Sequence, residues 1–196
     1  MGVLLDLLGA LMIATLLMLM MISFQFQLQD TANRTIFAAQ MMTHEQTACK
    51  ELNNLIALAG VNLPIDSIAV TVADSNRMAF RTYWDYSNNL LTLNANTISF
   101  TLKNATDFGR ELDILQSSSP VYDLGSILWL EDLSFYYYDI NGYGLGNVVV
   151  GDTRAQIFSV DVNMTFRRDP PIINTTPLRT KVQLRCYLMN RYLRFI

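Results

Sequence analysis

The sequence predicts an α+β protein: a long N-terminal α-helix, apolar in its first half and amphipathic in its second, packed on an antiparallel β-sheet domain. Three observations carry this. Residues 7–24 run without a single charge, LLGALMIATLLMLMMISF. No proline interrupts positions 1 to 63. Beyond Pro64 the periodicity of apolar residues changes from helical to alternating. The boundaries that follow are 1–27 for an apolar membrane or filament-core helix, 28–60 for its amphipathic continuation, and 61–196 for a sheet-built head.

The apolar segment comes first in the argument. A bilayer core of about 30 Å needs roughly 20 apolar residues as a helix. Adding Val3, Leu4 and Leu5 reaches that length and encloses Asp6. A secretory signal would have a basic leading region and a small-residue cleavage site. Here the first basic residue is Arg34, and Phe24 is followed by Gln25, Phe26, Gln27, Leu28, Gln29 and Asp30. The segment therefore reads as retained.

From Leu28 onward Ala32, Thr35, Ala39, Met42, Cys49, Leu52, Ile56 and Ala59 recur at steps of three and four, or of seven between Met42 and Cys49. That spacing predicts one helical face. Arg34, His44, Glu45, Lys50, Asn53 and Asn54 are expected on the opposite, solvated face. Gly60 and Pro64 provide the stop. A helix ending near Ala59 would be roughly 85 Å long at 1.5 Å per residue.

Strands are expected around Ile68–Val70–Val72, Met78–Phe80–Thr82–Trp84, Leu91–Leu93 and Ile98–Phe100–Leu102. Further runs are Leu133–Phe135–Tyr137, Phe158 through Phe166 in steps of two, and Val182–Leu184–Cys186–Leu188. Ser87-Asn88-Asn89 and Asp139-Ile140-Asn141-Gly142 supply turn chemistry. Residues 104–120 are polar and end in three serines, which predicts a loop with at most a short helix.

Composition narrows the function. Hydrophobic residues are 51% and charged residues 16%, against a usual charged share of about 25%. A disordered or highly charged binding module is excluded. The net charge of −3 argues against non-specific nucleic-acid binding. One histidine and two cysteines leave no ordinary four-ligand zinc set. No G-x-S-x-G, P-loop, Rossmann or H-E-x-x-H pattern occurs. His44, the only imidazole, falls on the polar helix face, and Glu131-Asp132 point to opposite sides of a strand. The expectation is a non-enzyme without a cofactor.

The helix followed by an antiparallel sheet resembles the type IV pilin and pseudopilin superfamily. A local likeness is LSFYYYDINGYG, residues 133–144, followed by QIFSVDVNMTF, residues 156–166. This is similar to the paired strands of minor pilins and pseudopilins, where an aromatic-rich strand ends in Asp-x-x-Gly. In that superfamily a carboxylate stands fifth in the mature helix; Asp6 becomes fifth when only Met1 is removed. The resemblance implies a structural subunit of an extracellular pilus-like (fimbrial) filament on the cell surface. It would be a homopolymer joined through its N-terminal helices, held in the membrane before assembly and handled by pilus or secretion machinery. The alternatives are a minor pseudopilin that primes or caps a filament, and a monomeric membrane-anchored binding domain outside the cytoplasm. It also implies an assembly role for Asp6, neutralising the N-terminal amine of a neighbour. The plainer reading places Asp6 in the headgroup layer, near the positive end of its own helix.

Four further sites follow from the residues. Cys49 on the helix stripe and Cys186 on an inward strand position are expected to face each other, as a disulfide or as two buried thiols. Asn33, Asn104, Asn163 and Asn174 head Asn-x-Ser/Thr triplets and are candidate glycan acceptors. Asp139, Asn141 and Asp152 would bind calcium only if their loop folded back, and a plain hairpin turn is the stronger reading. Seven acidic residues against Arg110 fall in 104–139, and only basic charges follow Asp169: Arg179, Lys181, Arg185, Arg191 and Arg194. This segregation suits contact between adjacent subunits, a solvated edge strand, or, more weakly, a short nucleic-acid patch.

Overall fold

The computed structural model describes residues 2–64, 67–104, 110–121, 129–168 and 177–189. The chain forms two compact units, residues 1–41 and 42–196. Helix α1, Gly2–Ala57, supplies the first unit and opens the second.

In the first unit every described residue from 2 to 29 is exposed. An 18-residue window of α1 has mean hydropathy 2.4 and none of it is buried. By length and composition the helix is able to cross a membrane. The few polar groups are satisfied locally. Thr15 Oγ1 donates to the carbonyls of Leu11 and Met12, both at 2.9 Å. Thr31 donates to the carbonyl of Gln27 at 2.9 Å, and Arg34 pairs with Asp30 one turn back at 3.0 Å.

In the second unit α1 buries Glu45, Ala48, Leu52, Leu55, Ile56 and, just past its end, Ala59. The sheet is entirely antiparallel. Its strands are β1 (Val70–Ala73), β2 (Arg77–Asp85), β3 (Leu90–Leu102), β4 (Arg110–Gln116), β5 (Ser119–Pro120), β6 (Trp129–Tyr138), β7 (Gly144–Gly146), β8 (Ser159–Arg168) and β9 (Leu178–Tyr187). The order is β1-β2-β3-β4-β6-β8-β9, with β5 on β4 and β7 on β6. Met78, Phe80, Ile98, Phe100, Ile114, Leu133, Phe135, Val160, Val162 and Met164 form the core beneath the helix. Burying each large apolar side chain contributes roughly 1.5–3 kcal/mol, so this seam dominates the stability of the head.

The end of α1 is fastened to β2. Helix ends leave carbonyls without partners. Tyr86 Oη donates to the Leu55 carbonyl at 2.7 Å and Thr82 Oγ1 to that of Leu58 at 2.9 Å. Gly60, at φ +78, turns the chain so that its amide reaches the Arg81 carbonyl at 2.8 Å. Earlier along the helix, Glu45 accepts a hydrogen bond from Thr180 on β9. The helix therefore crosses from β9 to β2 over the sheet. At the edge of β1, the Val149 amide donates to the Ala73 carbonyl at 2.9 Å, and the Arg154 guanidinium donates to Thr71 O. Arg154 stands on a 3-10 turn, Gly151–Gln156. The Phe135 amide donates to the Ser75 carbonyl at 2.8 Å, which ties the β1–β2 turn to β6.

Three expectations are corrected. Residues 110–116 form strand β4, not a loop, and Ser119–Pro120 pairs back on it as β5; Leu112 and Ile114 are core residues. The runs at Leu91–Leu93 and Ile98–Leu102 are one continuous 13-residue strand. The buried helix stripe is rotated from the expected one: Met42 is 60% exposed, whereas Glu45, expected in solvent, is only 7% exposed. The Pro170-Pro171 pair, expected from the sequence to end the strand that runs through Phe166, lies outside the described residues.

Glu45 is the anomaly of this interface. Its Oε1 is buried with no hydrogen-bond partner among the described residues. Desolvation pushes its carboxyl above the ordinary carboxylate range, and the Thr180 hydrogen bond only partly opposes this. A raised acid favours folding while protonated, and that contribution is lost as pH rises through the folded-state value. Glu45→Gln should therefore raise the thermal midpoint at pH 7 by a few degrees, about 1 kcal/mol, with no gain near pH 4, below the unfolded-state value. Thermal unfolding of both proteins across that pH range checks this.

Candidate assembly surface

The exposed helix of the first unit is the candidate functional surface. Leu, Met, Ile and Phe dominate residues 2–29 and point in every direction around the axis. A surface helix of a soluble protein buries one stripe; one that is apolar all round requires lipid or other helices as surroundings. Asp6 sits one turn in from the start of α1, exposed, and no described side chain pairs with it. It is the only charge among residues 2–29.

The head carries a second polar construction, on the side of the sheet away from the core. Asp161 of β8 lies opposite Arg185 of β9 in the antiparallel register. Its side chain is only 2% exposed. Arg185 Nε donates to Oδ1 at 2.6 Å and Nη2 to Oδ2 at 2.8 Å. Tyr138 Oη and Gln183 Nε2 both donate to Oδ2 at 3.0 Å. The guanidinium also lies 4.3 Å from the centre of the Tyr138 ring. The Arg185 hydrogen bonds, against an opposing burial effect, hold the Asp161 carboxyl below its ordinary range. Arg179 likewise forks onto Glu131, at 2.6 and 2.9 Å. Two basic residues of β9 are therefore engaged within their own chain, which revises the expectation that they reach an acidic stretch of a neighbour. Arg191 and Arg194 lie outside the described residues.

The remaining predicted sites separate clearly. Cys49 is half-buried on α1 and Cys186 is buried on β9. The expected disulfide is not formed, since both are free thiols. Burial, and secondarily each one's acidic neighbours, pushes both thiols up: Cys49 beside Glu45, and Cys186, raised to about 12, beside Cys49 and Asp161. Asn33 is exposed on α1 and Asn104 exposed just after β3. Asn163 is half-buried in mid-strand between Ser134 and Gln183, a poor position for a glycan acceptor. Asn174 lies outside the described residues. His44 is half-buried rather than solvated. Asp139 Oδ1 accepts the amides of Asn141 and Tyr143, at 2.9 and 2.7 Å, so that carboxylate is engaged by its own turn. No cluster of three or more metal-ligating acids, histidines or cysteines occurs among the described residues.

Two functional features escaped the sequence. The Asp161–Arg185 pair required the β8–β9 register, although alternation in SVDVNMTF already places Asp161 opposite the core. The burial of Glu45 was legible in the spacing Glu45, Ala48, Leu52, Leu55, Ala59, a regular 3-4-3-4 repeat. No protein-family model, curated protein or solved structure matches this chain.

Two outcomes are expected. Asp161→Ala strips a buried hub and should cost about 2 kcal/mol, since Arg185 remains half-exposed and recovers water. Because the carboxyl is depressed in the folded state, its contribution is present above about pH 4 and lost in acid. A wild-type-minus-variant difference in denaturant midpoint that fades below pH 4 confirms it. Burial keeps the Cys186 thiol protonated at pH 8 and withholds it from reagent, whereas Cys49 is only half-buried. Alkylation followed by peptide mass analysis should label Cys49 well before Cys186.

Proposed function

We propose that this chain is a structural subunit of an extracellular pilin-like helical filament, assembled through its apolar N-terminal helix after residence in the membrane. The observation that carries the reading is the unbroken continuity of α1: an uncovered apolar rod, residues 2–29, passes without a break into a helix that is packed on the head. A removable leader or a flexible tether would not require that continuity. The partners in this reading are other copies of the chain, the membrane beforehand, and the machinery that extracts and stacks subunits. Nucleic acid, catalysis and a cofactor have no part in it.

The energetics of such a transfer are balanced. Lipid tails are as apolar as leucine, so moving the rod from bilayer to bundle brings little hydrophobic gain. Close packing must supply the difference, and the five methionines within the first 21 residues adapt well to irregular neighbours. A charged aspartate inside a membrane helix costs about 2.5–3.5 kcal/mol on insertion scales. Pairing Asp6 with a neighbour's N-terminal amine recovers that cost only in the assembled state. Asp6 is thus the position-specific term that favours assembly over residence in lipid.

A second reading is a minor subunit that primes or caps a filament. It is favoured by the tyrosine-rich strand β6, Trp129–Tyr138, ending in the Asp139–Gly142 turn and followed by β8. Electron microscopy of shed surface material, with mass identification, separates the readings. Uniform fibres of this chain indicate the major subunit, one copy per tip the minor one. Protein confined to the membrane fraction contradicts both. Asp6→Ala should leave the head folded and reduce fibre yield at least tenfold; normal fibres from that variant would remove Asp6 from the mechanism.

A further inference from the structure

We infer that the outer face of strands β6, β8 and β9 binds neutral oligosaccharide, with Tyr136 stacked on the C–H face of a sugar ring and Arg185 and Gln183 bonded to hydroxyls. The face lies wholly within the second unit and exists whether or not filaments form. The strand register lays it out. Tyr136 lies opposite Asp161, and Asp161 opposite Arg185. Two residues along, Tyr138 lies opposite Ser159, and Ser159 opposite Tyr187. Leu133, Phe135 and Tyr137 are buried, so alternation turns Ser134, Tyr136 and Tyr138 outward. Tyr136 is 38% exposed and Tyr187 46%.

The rings are held before any ligand arrives. Tyr138 Oη donates to the buried Asp161 at 3.0 Å, and the Arg185 guanidinium lies 4.3 Å from the centre of the same ring. Tyr136 leans on Tyr138, with ring centres 5.1 Å apart and planes inclined at 52°. Its phenol edge packs against the backbone of β7 at Gly144. A Cβ at that position would fall 2.8 Å from Tyr136 Oη and 2.9 Å from Cε1, so any larger residue displaces the ring. A stacking platform fixed in this way gives up little freedom on binding.

The composition of the face selects the ligand. Across 134–138, 159–165 and 181–187, the outward positions carry tyrosine, hydroxyl, amide and charged side chains and no aliphatic one. A docked protein brings an apolar interface core, which this surface does not answer. Asp161 neutralises Arg185, so the tyrosine row holds no net charge to draw a polyanion. Further along, Asp132 and Lys181 lie on either side of Thr165 and balance each other. The fitting ligand is uncharged, rich in hydroxyls and apolar on its ring faces. The negative face of a tyrosine ring attracts polarised C–H groups. Arg185 spends Nε and Nη2 on Asp161 and Gln183 spends Nε2, which leaves Nη1 as a donor and Oε1 as an acceptor for hydroxyls. Strands β6 and β9 are two strand spacings apart, roughly 10 Å, so a chain of sugars spans both.

The test uses the full chain in micelles of a detergent without a sugar headgroup. Cellohexaose and maltohexaose, two neutral glucose hexamers, are titrated in at millimolar concentration and followed by calorimetry and tyrosine fluorescence. Saturable binding of at least one hexamer is the expected result. Tyr136→Phe should keep that affinity within about twofold, and Tyr136→Ala should weaken it about tenfold. Gly144→Ala, which pushes the ring aside, should weaken it as well. Leu93→Ala, at a 97% exposed position on β3, should leave it unchanged. No saturable binding of either hexamer by the wild-type chain would overturn the site, as would undiminished binding in a folded Tyr136→Ala variant. Tighter, salt-sensitive binding of polygalacturonate or oligothymidylate would overturn it in favour of a polyanion. Self-association lost in Tyr136→Ala, without sugar binding, would assign the face to a second copy instead. The wild-type titration decides the matter even where a variant folds poorly.

Discussion

Apolar surface without cover is the constraint on which everything else in this protein depends. Residues 2–29 present leucine, methionine, isoleucine and phenylalanine around the whole circumference of a helix, and all of them are exposed. At roughly 25 cal/mol per Å² of apolar area, such a rod in water carries a penalty larger than the total stability of a typical domain. Its surroundings must come from elsewhere; in the proposed reading they are lipid at one stage and other copies at another.

The head is built to receive that helix. Its C-terminal carbonyls are met by Thr82 and Tyr86, and its buried face is seated on Phe80, Phe100 and their neighbours. Several polar groups of the described head lock strands and turns. The fully buried Tyr137 donates to the Asp74 carbonyl at 3.0 Å, and burial pushes its phenol well above the usual range. Asp85 gathers Ser87, Asn88 and Gln116 around the β2–β3 turn. These contacts fix a scaffold.

Much of this was legible in the residues. The uncharged run at 7–24, the stop at Gly60 and the alternation in β2, β6, β8 and β9 all correspond to observed elements, because hydrophobic period and turn chemistry are local properties. Strand β4 was missed because RELDILQ is flanked by polar sequence and its alternation of Leu112 and Ile114 with acidic residues resembles a solvated segment. The helix stripe was misphased because a buried glutamate contradicts residue-type expectation, and spacing had to outweigh polarity to find it. The Asp161–Arg185 hub depends on register between strands, which no local pattern encodes. The role proposed for Asp6 concerns contacts between chains, which no local pattern encodes.

The central claim is that the leading rod is buried by copies of itself rather than by lipid for good. A nitroxide placed at position 16, in the Leu16→Cys variant with Cys49 and Cys186 replaced by serine, measures this directly in assembled material. Strong dipolar broadening between labels, together with loss of relaxation by membrane-dissolved oxygen, is the predicted result. Narrow, oxygen-accessible spectra in every preparation, at every protein-to-lipid ratio, would contradict the account.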